Sequence, residues 1–243
     1  VGLKLQQEGK SDAFVSAGNT GAQMAASMLL LRLHAGLRRP AIATVFPTSK
    51  RSVVVLDSGA NVDCSAEELT QFGRLGATYA EDILGRKNPA VALMSIGEEP
   101  EKGNAITKEA HALLAASGLN FIGNCEGRDL PAGTCQHGDL DVVICDGFVG
   151  NVILKFYEGV APLMIRMLVK EGLAEDAIKK GLRQLDYSEH GGAPLLGVKG
   201  VSIICHGRSS PRAIKNAIRI AVQAIDTRLN EHIGRRLEPV VAA

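Results

Sequence analysis

Gly18-Asn19-Thr20-Gly21 separates an apolar run from a stretch of good helix formers, Ala22 to Leu33. Strand, Gly-rich turn and helix in that order can form an anion site, because the unpaired N–H groups of a helix start point together at whatever enters. A plain turn before a helix accounts for the same four residues equally well. The Gly-Lys-Ser/Thr ending of a P-loop is absent, and G-x-G-x-x-G occurs nowhere. Similar residues end other apolar runs: DSGANVD with Asn61 and Asp63, SIGEEPEKGN with Lys102 and Asn104, GNCEGRD with Asn124 and Glu126, CDGFVGN with Asp146 and Asn151, and CHGRSS with His206. A lysine offers a point charge, an asparagine an amide donor, and a histidine a proton near neutral pH. Each also has an ordinary role. Asn beside Gly is common turn chemistry, and Lys102 among Glu98, Glu99 and Glu101 suits a solvated salt-bridge loop. Asp63, Glu126 and Asp146 suit helix capping or loop closure, and a strand-end His is often a structural donor.

The elements that must position these residues follow from the same pattern. Short hydrophobic runs without alternation read as strands buried on both faces, and helical stretches between them predict a parallel α/β sheet. Strands are expected at Ala13 to Ser16, Ser52 to Leu56, Val91 to Ile96, Asn120 to Ile122, Val142 to Cys145 and along VSIIC. In such sheets ligands sit beyond the carboxyl ends of the strands, so the Gly-rich loops would ring an active site. Helices are expected near residues 1–10, from Ala22, after a cap at Ser65 with Glu67 and Glu68 in the first turn, from Thr107 to Ala116, and from Pro211 to about Asn230. HGGAPLLGVKG reads as a loop.

Residues 152–185 form a helical appendage, with Gly172 separating two helices. Val160, Leu163, Met164, Met167 and Leu168 fall at i, i+3, i+4, i+7 and i+8, a stripe for packing or a dimer interface ahead of membrane contact. No repeat or linker divides the chain, so 1–243 is expected to be a single α/β domain.

Composition narrows the class. Net charge is +1, Trp is absent and aromatics make up 4%, which gives nucleic acid neither an electrostatic nor a stacking platform. Five cysteines form no C-x-x-C pair, and Cys145 and Cys205 lie in apolar runs, which favours a reducing cytoplasm over a disulfide scaffold. No run of about eighteen apolar residues marks a membrane span.

GNTGA, DSGANVDC, SIGEEPEKGN, GNCEGRD, CDGFVGNVILK and GGAPLLGVKG occur in this order, and together they closely resemble the bacterial phosphate acyltransferase of phospholipid synthesis, the PlsX family, over essentially the whole chain. The resemblance implies a cytoplasmic homodimer that converts acyl-[acyl carrier protein] and inorganic phosphate to acyl phosphate. It also implies a three-layer α/β/α sandwich with a largely parallel sheet, related to phosphate acetyltransferases and isocitrate dehydrogenases. Family members start with a strand and an Asp-Ala-Met-Gly-Gly-Asp-like motif several tens of residues before the point matching Val1. Without that segment a sheet edge is expected to be unpaired and one active-site loop missing.

Attack of phosphate on a thioester carbonyl requires a held dianion, a polarised carbonyl and help for the departing thiolate. Neither a metal, a cofactor nor a Ser or Cys nucleophile is required. On this reading Gly18, Asn19, Thr20 and Gly21 hold phosphate together with Lys102, and Asn151 polarises the carbonyl. Asn104, Asn61 and Asn124 are further amide donors, and two of these four asparagines are expected to act. Asp63, Glu126 and Asp146 orient Lys102 or the amides, and His206 protonates the thiolate. Arg212, Lys215 and Arg219 fall at i, i+3 and i+7 and would dock the acidic carrier, although a solvated helix face explains them too. Lys179, Lys180 and Arg183 form an alternative cluster. Two other functions compete: a non-catalytic carrier-binding or membrane-surface protein of the same fold, and a related metal-dependent dehydrogenase, for which Asp57, Asp63 and Asp146 alone make a poor ligand set.

Overall fold

The computed structural model describes residues 1–175, 178 and 191–237. In chain order the elements are α1 (Gly2–Gln7), β1 (Ala13–Ser16), α2 (Thr20–Leu30), β2 (Ala41–Ile42), β3 (Thr44–Phe46), β4 (Val53–Leu56), α3 (Ala66–Asp82), β5 (Val91–Met94), α4 (Ala105–Ala115), β6 (Phe121–Cys125), α5 (Asp129–Ala132), β7 (Thr134–Cys135), β8 (Gly138–Asp139), β9 (Val142–Ile144), α6 (Gly147–Lys170), β10 (Ala193–Leu196), β11 (Val201–Ile204), α7 (Pro211–Asp226) and α8 (Leu229–Leu237). Residues 176, 177 and 179–185 of the expected appendage, with Lys179, Lys180 and Arg183, lie outside the described residues.

The strands form two sheets and a small hairpin. One sheet has the order β1-β11-β10-β2 and the other β3-β4-β9-β5-β6, with β7-β8 apart. The larger sheet is parallel except at β3, as the unalternating apolar runs predict. The smaller is mixed, because β10 runs antiparallel to both neighbours. Pro194 conceals β10 in the sequence: it lacks an N–H, yet its carbonyl accepts from the Ala43 N–H at 3.0 Å. Strands β2 and β3 are too short to stand out as runs of their own.

Helices cover both faces, which makes the three layers. Val54, Leu56, Val91, Leu93, Val142 and Ile144 face one way with residues of α3, α4, α7 and α8. Val53, Val55, Ala92, Val143 and Cys145 face the other, under Val149, Ile153, Leu154 and Tyr157 of α6. Under α1 and α2 the smaller sheet has its own cluster, including Leu3, Leu31, Ile42, Leu195 and Ile204. Burying each such Leu, Ile or Val stabilises the fold by about 1.5–3 kcal/mol.

Strand direction decides where ligands can go. The segment 41–46 pairs with β10 through β2 and with β4 through β3. Since β10 opposes both β11 and β2, β2 runs with β11, while its continuation β3 runs against β4. The carboxyl ends of β11 and β4 therefore meet from opposite directions beside Ala43 and Thr44. Ser58, just past β4, donates its N–H to the Ile42 carbonyl at 3.0 Å, which closes the junction.

The helix starts carry the caps their sequences foretell. Ser65 Oγ accepts from the Glu68 N–H at 3.3 Å, and the Glu68 carboxylate accepts from the Ser65 N–H at 2.9 Å. Replacing Ser65 with alanine breaks this reciprocal pair at α3 and is expected to cost about 1 kcal/mol. For a chain of this size that is a fall of about 2–4 °C in thermal midpoint, measurable by circular dichroism. At the far end of α6, Gly172 takes φ +84 just beyond the helix. No helix among the described residues is long and apolar enough to cross a membrane.

Candidate active site

A cleft of about 300 Å³ lies where the two sets of carboxyl ends meet. Its walls are Thr20 from α2, Ile42, Thr44 and Val45 from the bridging segment, Ser58 and Gly59 after β4, Asn151, Leu154, Lys155 and Glu158 from α6, Gly191 to Ala193, and Ile204, Cys205, His206 and Ser209 at and after β11. Four of the six sequence loops thus reach one cleft: those of Thr20, Ser58, Asn151 and His206. The loops of Lys102 and Asn124 pack on each other instead, Asn124 Nδ2 donating to the Glu99 carbonyl at 2.8 Å and the Ser95 N–H to Cys125 at 2.9 Å.

The amides divide by what they touch. Asn19 Oδ1 accepts from the Ala22 N–H at 2.9 Å, and Asn104 Oδ1 accepts from Thr107 at 2.9 Å, so both side chains cap helices. Asn61 is buried and donates Nδ2 to the Pro40 carbonyl and to Asp57 Oδ2, each at 2.8 Å. Asn124 is buried under the loop that carries Lys102. Asn151 is exposed, lies against Gly59 and lines the cleft. Because α2 begins at Thr20, the N–H groups of Thr20 and Gly21 belong to its first turn and have no intrahelical acceptor. Gly18, Asn19, Thr20 and Gly21 are all exposed.

The remaining predicted residues fall as follows. Lys102 and Asp63 are exposed and outside the cleft walls. Glu126 pairs with Arg128 at 3.2 Å. Asp146 Oδ1 accepts from the Val149 N–H at 2.7 Å and caps α6, which fixes the helix that presents Asn151. His206 Nδ1 faces the Arg208 N–H at 3.1 Å, so a neutral ring keeps its proton on Nε2. Arg212, Lys215 and Arg219 are exposed along α7, which starts beside Ser209 at the cleft rim.

Sequence reasoning weighed Asp57 only as a metal ligand and passed over Lys155 and Glu158. Asp57 is fully buried and accepts from the N–H groups of Ile42 (3.0 Å), Gly59 (3.2 Å), Ala60 (3.0 Å) and Asn61 (2.7 Å), which shapes the loop under Asn151. Burial pushes its carboxyl up from the ordinary range, while donors from Ala60, Ile42 and Asn61 draw it back. Lys155 and Glu158 were legible in NVILKFYE, since i+4 from Asn151 lies on the same helix face. Helix α6 is held in place by Tyr157, whose hydroxyl donates to the Pro47 carbonyl at 2.7 Å and whose ring meets Phe46 edge-on at 5.4 Å. In the cleft wall, burial pushes the Cys205 thiol up, and a protonated thiol is a poor nucleophile.

A model of a family described as fatty acid synthesis protein matches residues 1–232. The chain is 47% identical to a phosphate acyltransferase of Thermodesulfovibrio yellowstonii, over 97% of this chain and 70% of that one. It is 49% identical to a phosphate acyltransferase of Desulforamulus reducens, over 98% of this chain and 73% of that one. Among solved structures, a phosphotransacetylase from Streptococcus pyogenes aligns with TM-score 0.65 at 19% identity, over 93% of this chain and 66% of that one. The EutD phosphotransacetylase from Staphylococcus aureus aligns with TM-score 0.63 at 16% identity, over 92% and 66%. At those identities the structural matches speak for the fold, and the sequence matches carry the family. Matched by a family model from residue 1 to 232 and nearly half identical to named relatives along almost its whole length, the chain belongs to the phosphate acyltransferase family of acyltransferase enzymes.

Proposed function

We propose that the chain transfers a fatty acyl group from acyl-[acyl carrier protein] to inorganic phosphate, giving acyl phosphate for phospholipid synthesis. The observation that carries this reading is the convergence of the α2 start and the Asn151 amide on one cleft between facing carboxyl ends. A phosphate oxygen attacks the thioester carbonyl carbon, the carbon–sulfur bond breaks, and the carrier thiolate takes up the proton that hydrogen phosphate gives up. The N–H groups of Thr20 and Gly21 meet the dianion, Asn151 donates to the carbonyl oxygen as charge develops there, and His206 Nε2–H stands at the rim for the leaving sulfur. Ile42, Val45, Leu154 and Ile204 supply apolar wall for the acyl end. Positioning two reactants this way is worth about 7–11 kcal/mol of the barrier.

Gly18, Asn19, Asn61, Asn104, Asn124, Asp63, Glu126 and Asp146 shape and anchor these loops, and Lys102 adds charge from the neighbouring one. The carrier docks on Arg212, Lys215 and Arg219, whose helix rises from the cleft rim beside exposed Ile218 and Val222. Residues 1–243 work as one α/β unit in a cytoplasmic homodimer. Exposed Leu163, Met164 and Met167 on α6 serve the partner subunit or a membrane surface.

Thiol release from acyl-carrier protein, followed with and without phosphate, tests the reaction. Release that ignores phosphate refutes it. Asn151→Ala is expected to lower kcat by about 100-fold, the scale for one lost oxyanion donor. Steady-state rates with unchanged thermal unfolding would separate that loss from misfolding.

A further inference from the structure

A doubly charged acceptor needs a cation within the cleft itself, and Lys102 is not part of the cleft wall. Among the described residues that line it, Lys155 is the only lysine or arginine. It stands one turn beyond Asn151 on α6, and its ammonium is held by Glu158 Oε2 at 2.8 Å. Both side chains keep solvent access, Lys155 at 51% and Glu158 at 24%. An exposed pair of this kind is only weakly held, so an entering dianion can displace the carboxylate from the ammonium. The helix carrying the pair is fixed by Asp146, Tyr157 and the cluster around Ile153 and Leu154, so Lys155 reaches into the cleft from a rigid base.

The geometry points to Lys155 as the phosphate-binding cation of this site, with Glu158 as a positioning residue that holds the ammonium in the empty cleft and competes with phosphate for it. This rests on the acyl-to-phosphate reading and adds a residue pair to it. The pair also sets specificity. An acceptor with a single negative charge gains less from displacing Glu158 than a dianion does, so the exchange favours phosphate over carboxylate acceptors.

The two partners must therefore act in opposite directions. Calorimetric titration with inorganic phosphate is expected to show Lys155→Gln weakening binding by about 10- to 100-fold, the range of one charge-assisted hydrogen bond. Glu158→Gln is expected to tighten it by about 2- to 5-fold, the value of the exposed pair it dissolves. In turnover the same changes appear in KM for phosphate, with KM for the acyl donor unmoved. Circular dichroism checks the fold of both variants. Phosphate-dependent thiol release together with unaltered phosphate binding in Lys155→Gln overturns this inference alone, as does weakening by Lys102→Gln with none by Lys155→Gln. Glu158→Gln binding phosphate more weakly than the wild type removes the competing role. No phosphate binding by the wild-type chain overturns both this assignment and the reaction.

Discussion

Gly150→Ala is expected to destabilise the protein by about 3 kcal/mol, a strain cost at the upper end for inserting one methyl into packed structure. The direction is the reverse of what helix propensity alone predicts. Gly150 lies inside α6, where alanine is intrinsically better by about 1 kcal/mol. A methyl there would collide with the Asp57 carbonyl oxygen, with the Asp57 carbonyl carbon at 2.9 Å and Cys145 Sγ at 3.1 Å behind it. Backbone cannot rotate aside as a flexible side chain can, so the start of α6 must lift from the loop beneath it. One turn earlier, a methyl on Gly147 would make the same approach, 2.5 Å from the Asn61 carbonyl oxygen and 2.8 Å from Asp57 Oδ2. Lifting this end displaces Asn151 and Lys155 together, and a shift of about 1 Å in a positioning group costs about 100-fold in turnover. Gly159→Ala, on the same helix with open space around it, is the control and should leave the fold slightly more stable. Thermal unfolding and phosphate-dependent thiol release read both effects. An alanine at 150 tolerated as well as one at 159 would show that this contact does not hold the helix down.

Asp57→Ala is expected to cost about 2–6 kcal/mol, because two buried backbone donors lose their common acceptor. The carboxylate is the common acceptor for four backbone N–H groups, from Ile42, Gly59, Ala60 and Asn61, and for Asn61 Nδ2. Removing it leaves the innermost of those donors, Ile42 and Asn61, without an acceptor in a place water does not reach, at about 1–3 kcal/mol for each unsatisfied group. It also unties β2 from the end of β4, because the Ile42 N–H bond to Asp57 spans that junction. Asp57→Asn keeps an oxygen for the Ile42 and Gly59 N–H groups but turns its amide toward the Asn61 donors, so it should recover only part of the loss. Denaturant unfolding measures both. A midpoint close to the wild type for either variant would mean that the loop finds other acceptors and that Asp57 is not its organiser.

The strands of the larger sheet were legible because parallel strands buried on both faces must be apolar without alternation, and Val53 to Leu56, Val91 to Met94 and Val142 to Ile144 are. A cap was legible at Ser65, where a short polar side chain stands immediately before helix formers. Strand β10 was hidden by Pro194, and β2 and β3 by their length. None of these signals records which strand runs beside which.

Residue types and their order along the chain are local properties, so the sequence by itself determined the apolar strands, the Gly- and Asn-rich loops after them and the family to which they belong. Only the tertiary structure decided which loops share a cleft. That choice hangs on the 41–46 crossing, which turns the carboxyl ends of two sheets toward each other and brings Thr20, Ser58, Asn151 and His206 together. The same packing spends Asn19 and Asn104 on helix ends and Asn61 and Asn124 on loop anchors, and it sets Lys155 in the cleft wall. An amide or an ammonium carries the same chemistry wherever it stands; what it can touch depends on neighbours that are tens to hundreds of residues away along the chain.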